Sequence, residues 1–214
     1  MTGSRWDRTA PGCRGQYSVE GKGMDTLEAI RTRRSTAKLR EEPVPRAIIE
    51  EILEAAIRAP NHKRTEPWRF FVFTGDARTR LAEAFVENYK LDHPDASAEE
   101  LAGPGRKSAN RVLNAPVTII VTADEGRTAV ETLENYGAVA TATEHILLAA
   151  HALGLGAYWR TGEAAYTAPR NAIKALLGVP DRTQLAAFVL LGYPGEAARE
   201  SSRIPYAEKT TWFE

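Results

Sequence analysis

Residues 128–153, TAVETLENYGAVATATEHILLAAHAL, carry the longest helical pattern in the chain. Core-compatible residues recur there every three or four positions, as on a buried face of an α-helix. They are Leu133, Tyr136, Val139, Ala140, Thr143, Ile146, Leu147, Ala150 and Leu153. Gly154 follows at the place where a helix commonly ends on glycine. Small residues along this stretch allow close packing on several sides, so we expect one long, central and largely buried helix.

Shorter helical patterns flank this one in the sequence. Asp25 is a candidate N-cap for a first helix that runs into residues 31–34, and residues 48–57 form an amphipathic helix that ends before Pro60. Residues 76–89 and 169–177 have the same periodicity. Between them, Leu91–Gly105 is polar and contains two prolines, so we expect a mobile insertion with a short helix near 98–101.

Four apolar segments are typical of strands. They are WRFFVF at 68–73, PVTIIVTA at 116–123, LGAYW at 155–159 and QLAAFVLLG at 184–192. Strands and helices alternate, but not as strict βαβ units. The order therefore predicts an α+β fold, in which helices cover both faces of a small mixed sheet.

Composition excludes several classes of protein. Lys and Arg total 28 and Asp and Glu total 28, so the chain lacks the basic excess of a nucleic-acid-binding protein. A single cysteine, Cys13, rules out an intramolecular disulfide framework, and no apolar run is long enough to span a membrane. We expect a cytoplasmic protein without a nucleic-acid or membrane partner.

The first 23 residues differ from the rest of the chain. They are rich in glycine and arginine and contain no apolar region of the kind found in a secretory signal. We expect residues 1–23 to be a disordered N-terminal extension and residues 24–214 to form the folded domain. Met24 directly precedes the first helical pattern and is a candidate natural start.

Common catalytic motifs are missing from the sequence. It contains neither a Gly-x-Ser-x-Gly nucleophile elbow nor a Walker loop. The glycines at 154 and 156 follow a helix, whereas a dinucleotide fingerprint lies between a strand and a helix. His145 and His151 are six positions apart, about 120° around a helix, which is poor geometry for a metal. We assign no catalytic acid or base and no metal ligand.

The remaining chemical signal is a set of arginines with hydroxyl or aromatic neighbours. Arg33, Arg34 and Ser35 end the first helix, Arg58 and His62 flank the end of the second, and Trp159-Arg160-Thr161 ends a short strand. A guanidinium group matches two phosphate oxygens, so such groups suit a phosphorylated cofactor. Each arginine taken alone is better explained as an ordinary solvated charge, since charged residues are mostly exposed.

Four segments in order resemble the nitroreductase family of flavoproteins, in particular its short, single-domain members. They are Ile30–Ser35 (IRTRRS), Ala59–Val72 (APNHKRTEPWRFFV), Gly154–Gly162 (GLGAYWRTG) and Leu191–Pro194 (LGYP). Each is weak alone, but all four occur in order at family-like separations. The resemblance covers about residues 24–214.

The resemblance implies a nitroreductase-like α+β sandwich with a mostly antiparallel sheet and a long central helix. It also implies an intertwined homodimer that buries FMN at its subunit interface. By similarity, FMN contacts come from Arg33, Arg34 and Ser35, from Trp159, Arg160 and Thr161, and, across the interface, from Arg58 and His62. The segment Ala149, Ala150, His151, Ala152, Leu153 and Gly154 matches one assigned to the nicotinamide nucleotide, although packing explains its small residues equally well. Arg160 is also expected to stabilise the negative charge of the reduced cofactor.

The implied activity is FMN-dependent, ping-pong hydride transfer from NAD(P)H to nitroaromatic, quinone or similar conjugated acceptors. Alternatives are another flavin reaction on the same scaffold, such as dehalogenation or dehydrogenation, a non-catalytic flavin-binding protein, or a domain without a cofactor. Many family members have Ser-Ser-x-Asn-x-Gln-Pro before the tryptophan, where this chain has His62 and Glu66. Short members share the histidine, whereas Glu66 adds charge at a usually neutral position.

Overall fold

The computed structural model describes residues 24–160, 171–197 and 201–214, except for the side chain of Ser108. The helices are α1 (Thr26–Thr32), α2 (Arg46–Ala56), α3 (Ala77–Asp92), α4 (Ala98–Glu100), α5 (Arg106–Leu113), α6 (Ala129–Ala152) and α7 (Ala172–Leu177). Short 3₁₀ helices cover His62–Arg64 and Tyr206–Lys209. The expected extension, residues 1–23, lies outside the described residues and stays a prediction.

Four strands form one sheet in the order β1-β2-β4-β3. Their bounds are Trp68–Thr74 (β1), Val117–Ala123 (β2), Gly156–Arg160 (β3) and Gln184–Gly192 (β4). Among the described residues, all three strand pairs are antiparallel and the parallel component is a single bridge between Ser35 and Ala157. The expected α+β fold with a mostly antiparallel sheet is confirmed.

Helices cover both faces of this sheet, as the sequence predicts. One core lies between the sheet and helices α2 and α6, where Ile52, Ile119 and Ile146 are fully buried. The second lies against α3, α5 and α7, and Ile120 supplies it from the same strand. Neighbouring residues of β2 therefore enter opposite cores, which explains why all seven of its residues are buried and why all of them except Thr118 and Thr122 are apolar.

Local signals place the helix ends correctly. Asp25 caps α1, since its Oδ1 accepts hydrogen bonds from the backbone N–H groups of Leu27 and Glu28 at 2.9 and 3.2 Å. The long helix α6 spans 24 residues, is capped by the Thr128 side chain and is followed by Gly154 in the left-handed region at φ +77°.

The segment between α3 and β2 differs from its expected form. In place of a largely irregular insertion, α4 continues through a π-helical turn at Leu101–Gly105 into α5. The glycine at position 105 allows this segment to pass close to α3, because a β-carbon there would lie 3.1 Å from the Tyr89 ring of that helix. Val112 and Ala109 then bury an apolar edge of α5, which the prolines and charges of this segment obscure in the sequence.

Candidate functional site

The end of α1 is joined directly to the edge strand β3. Arg33 follows the last helical residue with extended backbone angles (φ −55°, ψ 135°), so the chain leaves the helix as a strand-like segment. Ser35 then forms a parallel bridge with Ala157, and the N–H of Thr36 donates to the Ala157 carbonyl at 2.9 Å. Gly156 is required beside this junction, because a β-carbon there would lie 2.8 Å from the Thr36 side chain. The end of α1 is therefore held against the start of β3, and the third arginine group lies further along that strand.

Arg33 and Arg34 are held in place by different partners. The Arg33 Nε donates to Glu144 Oε1 of α6 at 3.2 Å, and the Arg33 side chain is only 20% exposed. The Arg34 Nη1 donates to the carbonyls of Arg31 and Arg33 at 2.7 and 2.8 Å. Arg34 thus satisfies backbone acceptors at the end of α1, while Arg33 is oriented from the long helix.

Arg33, Arg34 and Ser35 line one cavity of about 460 Å³. Its other lining residues are Thr36, Ala37, Lys38, Glu196, Ala197, Ser201 and Arg203. Four cationic side chains face one carboxylate among these described residues, and that carboxylate pairs with Lys38 at 2.8 Å. The cavity therefore has a net positive charge and suits an anionic group.

Of these lining residues only Arg33, Arg34 and Ser35 were predicted from the sequence, and Lys38, Ser201 and Arg203 are polar residues that it did not reveal. Ser201 and Arg203 lie more than 160 positions beyond Ser35 in the polar tail, where no periodicity marks them. A usable signal exists, since the tail repeats the combination of arginine and serine found at 33–35. The Arg203 Nη1 donates to the Ser202 carbonyl at 2.9 Å and to the Ser201 hydroxyl, which holds the guanidinium group near the cavity.

The strand β3 sends Trp159 and Arg160 to different places. Trp159 packs against the core beneath α6, and its Nε1 is buried without a hydrogen-bond partner in the described part of the chain. Arg160 lines a second cavity instead of the one that contains Arg33. Burial, and then the nearby charge of Arg111, lower the pKa of the Arg160 guanidinium from its ordinary value. Thr161 lies outside the described residues.

Arg58 and His62 are not brought to the cavity within one chain. Both are exposed, and Arg58 forms an ion pair with Glu54 one turn back on the end of α2. The loop that contains His62 is anchored to Asn135 of α6, nine residues before the Glu144 that holds Arg33. At 1.5 Å per residue this separation is about 13 Å along the helix.

The loop at residues 61–66 has an unusual backbone. Lys63, Arg64 and Glu66 all have positive φ values of 55°, 55° and 43°, which cost side-chain-bearing residues about 1–3 kcal/mol each. Side chains hold it in this form. Asn61 Oδ1 accepts from the N–H of Glu66 at 3.1 Å, and the Thr65 hydroxyl donates to Asn135 Oδ1 at 3.0 Å.

The end of α6, Ala149–Gly154, lies beside the end of α1. His151 Nε2 and Thr32 Oγ1 are 2.8 Å apart, which links the two helix ends. Burial, and then the charges of Arg33 and Arg34, lower the pKa of His151 from its ordinary value. Ala150 is fully buried, so a ligand that approached this segment would meet Ala152 and Gly154, which are exposed.

Within residues 24–160, 171–197 and 201–214, no three His, Cys, Asp or Glu side chains are grouped to hold a metal ion. No helix in that part of the chain is both long enough and apolar enough to cross a membrane.

Known proteins are similar to this chain in sequence and in fold. YfhC of Bacillus subtilis, which is named provisionally as an NAD(P)H nitroreductase, is 31% identical over 185 residues, 86% of this chain and 92% of its own length. A nitroreductase-like family protein from Bacillus cereus has a TM-score of 0.80 at 26% identity and covers 91% of this chain and 98% of its own. A protein from Desulfovibrio desulfuricans, crystallised in complex with FMN and provisionally named a nitroreductase, has a TM-score of 0.66 at 30% identity and covers 88% and 96%.

The chain also matches the sequence model of a protein family. The model of the nitroreductase family matches residues 30–193, which include Arg33–Ser35, the loop at 61–66 and the strand β3. The matched region is well over half of the chain, and the relatives are aligned over nearly their whole length. The chain therefore belongs to the nitroreductase family.

Proposed function

We propose that this protein is an FMN-dependent oxidoreductase that takes a hydride from NADH or NADPH and reduces nitroaromatic, quinone or similar conjugated acceptors. The observation that carries the proposal is the cationic cavity at the junction of α1 and β3. Membership of the family and the FMN-bound relative from D. desulfuricans support this cofactor. The provisional name of YfhC, an NAD(P)H nitroreductase, supports NADH or NADPH as the electron donor.

The cavity fits the phosphate of FMN. Its volume of about 460 Å³ lies within the usual range for a small-molecule site. Arg33, Lys38 and Arg203 supply positive charge, and Ser35 and Ser201 supply hydroxyl donors. A charge-assisted hydrogen bond contributes about 1.5–3 kcal/mol, so two or three of them would hold a phosphate dianion firmly.

The residues of this chain have binding and orienting roles in the proposal. Arg33 and Ser35 bind the phosphate, and Glu144 fixes the direction of the Arg33 side chain. The end of β3, with Trp159, Arg160 and Thr161, contacts the remainder of FMN. When bound, FMN supplies the redox chemistry, since it accepts a hydride from the nicotinamide and passes it to the acceptor. We assign no side chain as general acid or base.

We further propose that the functional unit is a homodimer. Neither Arg58 nor His62 lines the cavity, and the loop of His62 is anchored to α6 about 13 Å along the helix from Glu144, so in this proposal the two residues contact FMN from a second copy. Exposed apolar side chains support a partner surface. Val130 and Leu133 on α6 are 67% and 72% exposed, and Trp212 and Phe213 in the tail are 74% and 95% exposed.

A spectrum and an anaerobic titration test the proposal. The purified protein should show flavin absorption bands, alone or after addition of FMN, and NADH or NADPH should bleach them without oxygen. Failure to gain flavin bands would refute FMN binding. Flavin bands that neither nucleotide bleaches would favour the non-catalytic alternative. With a nitroaromatic or quinone, parallel double-reciprocal plots would support hydride transfer in two half-reactions, and light scattering would measure the expected dimer mass.

A further inference from the structure

The half-buried side chain of His151 attaches the end of α6 to the end of α1. Its Nε2 lies 2.8 Å from Oγ1 of Thr32, which is the last residue of α1 and directly precedes Arg33. A threonine hydroxyl has one proton, and Thr32 donates it to the Glu28 carbonyl at 2.6 Å. Nε2 must therefore carry a hydrogen and donate it to Thr32, both when the ring is neutral and when it is protonated.

This hydrogen bond is one of two side-chain links between α6 and the end of α1. The other is the ion pair of Arg33 with Glu144, seven residues earlier on α6 and so about 10 Å away along the helix. Two links at separate points fix the direction in which α1 ends, and Arg33–Ser35 follow at once. These three residues line the larger of the two cavities described above, whereas His151 does not line it. His151 can therefore position the cavity's cationic wall without touching an occupant.

The charges around His151 oppose its protonation on balance. Burial, and then the charges of Arg33 and Arg34, lower the pKa of His151, whereas the nearby Glu28 favours the protonated form. Glu144, the acidic group two turns back on α6, already pairs with Arg33. An anion bound by the two arginines would counter their effect on the ring, which would then accept a proton more readily.

We propose that His151 is a positioning residue for the phosphate-binding end of α1 and that it couples FMN binding to proton uptake, so that FMN binds more tightly when the ring is protonated. The inference rests on the proposed function, since it requires the phosphate of FMN at Arg33 and Arg34. Coupling between two binding events is reciprocal, so bound FMN must raise the proton affinity of His151 by the same factor.

The hydrogen bond to Thr32 can be removed without changing the ring. Thr32→Val keeps the shape of the side chain and removes the acceptor, so we expect FMN affinity to fall about two- to tenfold. Thr32→Ser keeps the hydroxyl and should restore most of the affinity. Equal FMN affinity in the two variants would refute the positioning role.

The pH dependence of FMN affinity tests the coupling. Dissociation constants are measured for the wild type and His151→Gln near pH 5.5 and near pH 8, below and above the ordinary pKa of histidine. The phosphate also changes charge near pH 6, but it does so for both proteins, so the ratio of their constants reports the ring. We expect the ratio of variant to wild type to be at least about twofold larger at the lower pH. A ratio independent of pH would refute the coupling.

The matched control is His145→Gln on the same helix. His145 Nδ1 lies 3.2 Å from the Ala55 carbonyl of α2, and His145 does not line the cavity. Its ratio to the wild type should be the same at both pH values. A change as large as that of His151→Gln would refute the assignment of the coupling to His151.

Titration of the histidine rings by NMR separates this inference from the proposed function. The ring signals are followed against pH without ligand, with FMN and with inorganic phosphate, and the signal that is missing in His151→Gln identifies His151. We expect either ligand to raise the pKa of His151. FMN that binds without raising this pKa would refute the coupling and leave the proposed function intact. A protein that binds no FMN would refute the proposed function, and the coupling would then be decided by whether inorganic phosphate raises the pKa.

Discussion

Replacing Arg33 by methionine should weaken FMN binding about ten- to hundredfold. The substitution keeps an unbranched side chain of similar length and removes the charge that lines the larger cavity. The Arg33 side chain is only 20% exposed, so solvent screens its charge less than that of a surface arginine. One charge-assisted hydrogen bond to phosphate contributes about 1.5–3 kcal/mol, and each 1.4 kcal/mol corresponds to a factor of ten in the dissociation constant.

Quenching of flavin fluorescence during titration of the apoprotein measures this change. The matched control is Arg46→Met, because Arg46 also pairs with a glutamate, Glu50 at 2.7 Å, but lies on α2 away from the cavity. FMN affinity should remain within about twofold of the wild type in the control. The dependence of affinity on salt should be weaker in Arg33→Met, since one ion contact is lost. Equal FMN affinity in the two variants would refute the placement of the phosphate.

Three further predictions concern the framework of the site. Gly156→Ala should lower both the stability of the chain and its retention of FMN, because the added β-carbon would lie 2.8 Å from the Thr36 side chain. Gly137→Ala is the control. Its β-carbon would meet nothing within 4 Å, so the melting temperature should stay unchanged or rise. Asn135→Ala removes the anchor of the loop before β1 and should cost about 1–3 kcal/mol in urea unfolding; a cost below about 0.5 kcal/mol would contradict that role. The lowered pKa of His151 means that protonation favours the unfolded chain, so stability should fall as pH drops below about 6.5. His151→Gln should flatten this pH dependence, and an identical profile would show that His151 is not its source.

Much of the fold could be predicted because its signals are local. The long helix α6, the N-cap at Asp25 and the buried strand β2 each depend on residues close in sequence, and the structure confirms all three, but Leu133, which was expected on the buried face of α6, is 72% exposed. The segment that contains α5 was harder, since Pro104 and its neighbouring glycines indicate a loop. The helical path brings Gly105 close to the Tyr89 ring of α3, and a local sequence pattern does not predict this packing between two separate helices.

The candidate site was only partly accessible to sequence reasoning. The group at 33–35 is contiguous and could be found, but Glu144, which orients Arg33, lies 111 positions away. Arg203 joins the cavity from the tail. Trp159 and Arg160 point to opposite faces because side chains alternate along a strand, but which of the two faces meets the core beneath α6 depends on how β3 packs in the sheet. Long-range packing decides such features.

The strained loop before β1 has a consequence for protein engineering. A glycine at position 63, 64 or 66 would adopt the same left-handed backbone at a lower cost, by roughly 1 kcal/mol at each position. Substitution by glycine here would therefore remove a charged side chain while making the native turn easier to form. Any loss of activity in such variants would report the contribution of the Lys63, Arg64 or Glu66 side chain, free of the destabilisation that complicates most loop mutagenesis.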